Sequence, residues 1–79
     1  MMRPAMAIVC EVAEAHGLTP RDLLGRSRMR PITRARMTAY AEIRDRLGYS
    51  YPEIGMIFGR DHTTILHGVR QARKREERE

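Results

Sequence analysis

Ser50-Tyr51-Pro52-Glu53-Ile54-Gly55-Met56-Ile57-Phe58-Gly59-Arg60-Asp61-His62-Thr63-Thr64-Ile65 is the stretch that decides the fold. Ser50 and Glu53 have capping-box spacing: the hydroxyl accepts from a first-turn amide and the carboxylate reaches back to the cap. A helix therefore starts at about residue 51, with Ile54, Ile57 and Phe58 as its apolar face. Gly59 breaks it. A new helix starts at about Asp61, and Ile65, Val69 and Ala72 recur along it at helical spacing. Two helices around a glycine turn predict a helix-turn-helix.

Upstream of this pair the same periodicity continues. From Pro4 to His16 the residues Ala5, Ile8, Val9, Val12, Ala13 and His16 form one stripe, with Pro4 suited to start a helix and Gly17 to stop it. Thr19-Pro20-Arg21-Asp22 offers an N-cap, a first-turn proline and an acidic first turn for a short helix that carries Leu23 and Leu24 and ends at Gly25. Residues 26–36 hold five arginines in eleven positions. Pro31 disfavours helix in the residue before it, so this segment reads as a basic loop. Beyond it Ile32, Ala35, Ala39, Ile43 and Leu47 mark a long helix that runs to about Gly48.

No period-two pattern suggests a strand. The expected fold is all-α, a single five-helix domain over residues 1–79 with helices at about 4–16, 20–24, 33–47, 51–58 and 61–75, and with Lys74 to Glu79 fraying. Seventy-nine residues suffice for one small domain, which buries only about 60% of its unfolded surface. With a single Phe and few aromatics, its core is built from Ile, Leu, Val, Met and Ala.

The charge narrows the partner. Fifteen Lys and Arg stand against ten Asp and Glu, a formal charge of +5, which favours a polyanion. Fourteen of the fifteen are Arg, whose planar fork suits phosphate and guanine. The lone cysteine, Cys10, excludes an internal disulfide and a Cys-rich zinc site. No apolar run approaches the roughly 18 residues of a membrane span, and no secretory leader is apparent. A cytoplasmic, nucleoid-associated protein is expected.

With Ile65 set as the inward direction of the last helix, Thr63, His67, Arg70 and Lys74 point away, with Thr64 and Gln71 on a flank. Thr, His, Arg and Asp at the start of a second helix are suited to base edges in a major groove, although Asp61 also has the chemistry of a plain N-cap. Arginines on an irregular segment can follow phosphates or enter a narrow minor groove. Catalysis finds no support: no GxxxxGK[ST] loop, no nucleophile with a base, no paired carboxylates beside a cleft. His62 and His67, five apart, do not align as a metal pair, and His16 reads as a partner for a helix C-terminus.

Gly59-Arg60-Asp61-His62-Thr63-Thr64-Ile65-Leu66-His67 closely resembles the signature of the C-terminal DNA-binding domain of the bacterial replication initiator DnaA. Val12-Ala13-Glu14, Leu23-Leu24, the arginine segment and Pro52-Glu53-Ile54-Gly55 before Phe58-Gly59 stand in that family's order and spacing, over about residues 6–75. The resemblance implies an all-helical domain that binds initiator boxes in double-stranded DNA. It implies base reading by Arg60, Asp61, His62, Thr63 and Thr64 in the major groove and, by position, by Arg28 in the minor groove. Arg26, Arg30, Arg34 and Arg36 would supply or support backbone contacts, joined by His67, Arg70 and Lys74 on the outward face.

Two departures stand out. The family commonly has two glycines before Arg-Asp-His, whereas only Gly59 is present here, so the turn is one residue shorter. The chain also lacks the initiator's ATPase module. A stand-alone module regulating replication or transcription is therefore expected, and Met1-Met2 reads as its natural start. A fragment of a full initiator is the second reading, and a basic helical adaptor for protein or RNA comes from another class. No cofactor, metal or nucleotide is expected, and with no heptad seam the chain is expected to be monomeric on DNA.

Overall fold

Each helix begins where its sequence supplies a cap or a tolerated proline. The computed structural model describes residues 3–78, so Met1, Met2 and Glu79, with the expected start at Met1-Met2, lie outside the described residues. Within them are five helices and no strand: α1 (Pro4–Ala15), α2 (Pro20–Leu24), α3 (Arg30–Leu47), α4 (Tyr51–Phe58) and α5 (His62–Arg78). The all-α reading holds. Both capping boxes are formed. Asp22 N–H donates to Thr19 Oγ1 at 3.2 Å while Asp22 accepts from Thr19 N–H at 2.9 Å, and Ser50 with Glu53 repeats the same pair of distances.

Three boundaries differ from expectation. α3 begins at Arg30 rather than near 33, because Pro31 sits in its first turn, where a missing N–H breaks no helical bond. Arg30, Arg34 and Arg36 are therefore helical, and only Arg26 and Arg28 of the five lie on the connecting segment. α5 continues to Arg78, beyond the expected end at about 75. α1 stops at Ala15, leaving His16 as an exposed C-cap residue outside the apolar stripe.

α3 is the spine. α1 and α5 pack against it, and α4 packs against α5. The core draws Ile8, Val9 and Val12 from α1, Leu23 from α2, Ala39, Tyr40 and Ile43 from α3, Ile54 and Phe58 from α4, and Ile65 and Val69 from α5. Tyr40 meets Phe58 edge to face with ring centroids 4.7 Å apart, a geometry worth about 0.5–1.5 kcal/mol beyond area burial. α5 crosses this ring at Gly68, where a β-carbon would come within 2.6 Å of Tyr40 Cδ2. At the corner between α3 and α4, Arg44 donates to the Tyr49 carbonyl at 2.8 Å and lies 4.3 Å above the Tyr51 ring. No helix among the described residues is long and apolar enough to cross a membrane.

Candidate nucleic-acid interface

The turn between α4 and α5 sets the direction of the second helix. Gly59 ends α4 in the left-handed region, with φ 65 and ψ 40, which glycine adopts without penalty. The Arg60 amide then donates back to the Gly55 carbonyl at 2.8 Å. A β-carbon at Gly55 would collide with the Arg60 carbonyl. The shortened turn thus closes against the bare backbone of α4.

Asp61 caps α5. Its Oδ1 accepts from Thr63 N–H at 2.9 Å, and its carbonyl accepts from Thr64 N–H at 3.1 Å and Ile65 N–H at 3.3 Å. The hydrogen bond from Thr63 holds the Asp61 carboxyl below its ordinary range, so it is an acceptor-only anion at neutral pH. His62 Nδ1 lies 3.1 Å from Asp61 Oδ1. Capping does not exhaust a carboxylate, which has about four acceptor positions.

With Ile65, Val69 and Ala72 buried, helical geometry turns Asp61, His62, Thr63, Thr64, His67, Arg70 and Lys74 outward, and all seven are exposed. Arg28, Arg30 and Arg34 are also exposed. They line an open depression of about 400 Å³ together with Thr33, Met37, Gln71 and Arg75. A second depression of about 300 Å³ shares Thr33, Met37 and Gln71 with the first, is lined also by Arg36 and Arg60, and carries the lining on to Thr64 and His67. The structure therefore joins the basic segment to the outward face of α5. No carboxylate lines either depression.

Not every anticipated arginine presents a free guanidinium to this surface. Arg26 is exposed but lines a different depression, beside Leu24, Met56 and Gly59. Arg36 is 5% exposed: Nε donates to the Leu23 carbonyl at 2.8 Å, Nη1 to Ser27 at 3.0 Å, and Nη2 to Asp22 at 3.2 Å and Gly25 at 3.0 Å. Burial lowers its pKa, and the positive charge of Arg60 adds to the shift. These bonds tie it to the carbonyls beneath the basic segment. Arg60 is half-buried and lines the second depression, with its guanidinium donating to the Phe58 and Gly25 carbonyls at 3.1 and 2.9 Å.

Thr33 and Arg75 were not anticipated as part of the surface, whereas Gln71 was placed on the flank of the last helix. Gln71 follows Thr64 by seven residues, two helical turns on the same face, and Arg75 follows Gln71 by four. Periodicity alone was enough to find Arg75.

A capped helix behind a tight turn, its outward face polar and flanked by arginines, defines a helix-turn-helix DNA-binding domain. The family comparison specifies which. The model of the bacterial dnaA protein helix-turn-helix matches residues 5–72, from the start of α1 well into α5, and the chain belongs to that family. It is a domain that binds double-stranded DNA, of a type that is not catalytic. No solved structure matches the chain.

Proposed function

We propose that this DNA-binding domain occupies initiator-box-like sites in duplex DNA as a monomer, without itself binding a nucleotide, and so regulates replication or transcription at the nucleoid. The supporting observation is the continuous, carboxylate-free surface from Arg28, Arg30 and Arg34 through Gln71 to Thr64 and His67. On this reading the start of α5 enters a major groove. Asp61 accepts from a cytosine amino group, His62 donates to purine acceptors, and Thr63 and Thr64 meet thymine methyls or adjacent phosphates. Arg28 reaches the neighbouring minor groove, where a narrow A·T-rich tract concentrates negative potential. Arg26, Arg30, Arg34, His67, Arg70 and Lys74 hold the backbone, which positions the protein without specifying sequence.

Selection of bound sequences from a random duplex library tests this directly. The expected result is enrichment of one short motif, with a His62→Ala/Thr63→Ala variant losing about 1–3 kcal/mol of discrimination per base contact removed. A library that shows no enrichment would overturn sequence-specific binding and favour a protein-binding adaptor.

A further inference from the structure

The Gly25 carbonyl accepts from two guanidinium groups, Arg36 Nη2 at 3.0 Å and Arg60 Nη2 at 2.9 Å. Gly25 closes α2 and is the last residue before the segment that carries Arg28. Arg60 directly follows the turn glycine and stands two residues before His62. We propose that Arg60 is a positioning residue that fastens the helix-turn-helix turn to the base of the basic segment, so that the readers of the two grooves are set as one unit. The inference rests on the two-groove reading above and assigns Arg60 a different task from the base contact its place in the motif suggests.

The bonding runs without a break between the readers. Arg36 holds the Ser27 carbonyl, adjacent to Arg28, and the Gly25 carbonyl; Arg60 holds Gly25 and the Phe58 carbonyl at the end of α4; Asp61 follows and caps α5. Two cations side by side repel, but both face the carbonyl end of α2, where Asp22, Leu23 and Gly25 present partial negative charge. The task calls for arginine. Its two terminal nitrogens reach two carbonyls that belong to different elements, whereas a lysine ammonium is a single point on a flexible stem. Half-burial and two backbone partners also leave this guanidinium poorly placed to leave for a base edge.

The test compares the parent with Arg60→Met, Arg60→Lys, Arg28→Ala and the Arg28→Ala/Arg60→Met double variant. Affinities are measured on duplexes in which each base pair of the selected site is changed in turn, at a temperature where circular dichroism shows every variant folded. Arg60→Met should lose about tenfold in discrimination at the same base pairs that lose preference in Arg28→Ala, a coupling typical of residues acting through a shared partner. The double variant should be no worse at those pairs than Arg28→Ala alone. Arg60→Lys should fail to restore the preference while keeping the parent's salt dependence, and it carries the same comparison should Arg60→Met not fold. Loss confined to one base pair under α5, additive with Arg28→Ala, would make Arg60 a base reader and overturn the inference. Uniform weakening on every duplex, with the preference profile intact, would overturn it in favour of a merely structural role. A parent that does not discriminate among duplexes overturns the two-groove reading itself, and this inference with it.

Discussion

The Arg60 amide donates to the Gly55 carbonyl at 2.8 Å, and the Arg60 carbonyl fills the space that a β-carbon on Gly55 would need. That double approach lets a turn with a single glycine bring α5 against α4. In an open helix Gly→Ala gains up to about 1 kcal/mol. Here the obstructing atom is backbone and cannot swing aside, so the turn must move, at a cost of about 1–3 kcal/mol. Gly55→Ala should therefore be destabilised in urea unfolding and should also lose discrimination between the selected site and a scrambled duplex. A variant as stable as the parent would show that the approach is not tight.

Arg36 gives a second stability prediction. Replacing it by Met keeps most of the stem but strips a charged donor from the carbonyls of Asp22, Leu23, Gly25 and Ser27. Buried groups left unpaired cost about 1–3 kcal/mol, so a loss of at least about 3 kcal/mol is expected across the set. Lys at this position should recover little of it, since one ammonium cannot span four acceptors. Arg30→Ala, on the exposed first turn of α3, should stay within about 0.5 kcal/mol of the parent. Equal unfolding midpoints for Arg36→Met and Arg30→Ala would refute the distinction.

These residues also show what the sequence could and could not convey. The helix-turn-helix and the limits of α2 and α4 were legible because Thr19 with Asp22, and Ser50 with Glu53, supply both halves of a reciprocal cap within four residues. The start of α3 was misjudged because Pro31 breaks a helix interior but suits a first turn. Arg36 was grouped with the arginines that supply or support backbone contacts, yet it stands four residues after Ile32 and four before the buried Tyr40 and is itself buried. Its destination was written in the periodicity. The direction of the Arg60 guanidinium was not written locally at all, since its partner Gly25 lies 35 positions away and meets it only through tertiary packing.

Acid should loosen both helices of the motif. Hydrogen bonds from Ser50 lower the Glu53 pKa from its ordinary 4.5, and hydrogen bonds from Thr63 lower that of Asp61 from 3.8. A carboxylate whose pKa is lower in the folded state contributes stability that is fully present above its unfolded value and is lost as pH falls through the folded one. The caps should therefore hold at pH 6 and weaken progressively below about pH 4. Asn caps a helix about as well as Asp without titrating. Asp61→Asn should accordingly be less acid-sensitive than the parent between pH 6 and pH 3 in urea unfolding. Glu53→Gln should likewise flatten the profile, and unchanged acid sensitivity in both variants would locate the effect elsewhere.

The final prediction separates arginines that specify from arginines that attract. Arg28→Ala should remove preference at the A·T-rich side of the site while leaving affinity for scrambled DNA close to the parent's. Arg30→Ala should weaken all duplexes alike and reduce the slope of log affinity against log salt by about one, the signature of one lost phosphate contact. Arg75 belongs with Arg30. It lines the same depression, and its guanidinium is anchored by one hydrogen bond, Nη2 to the Arg34 carbonyl at 3.2 Å, while its buried Nε has no partner. Arg36, by contrast, donates to four carbonyls. A guanidinium held on one side among three other arginines and no carboxylate is relieved by an anion, so Arg75→Ala should reproduce the salt-slope change of Arg30→Ala and leave the preference profile untouched. If Arg28→Ala and Arg75→Ala alter preference and salt slope to the same degree, the basic surface acts as undifferentiated charge and the minor-groove role of Arg28 is lost.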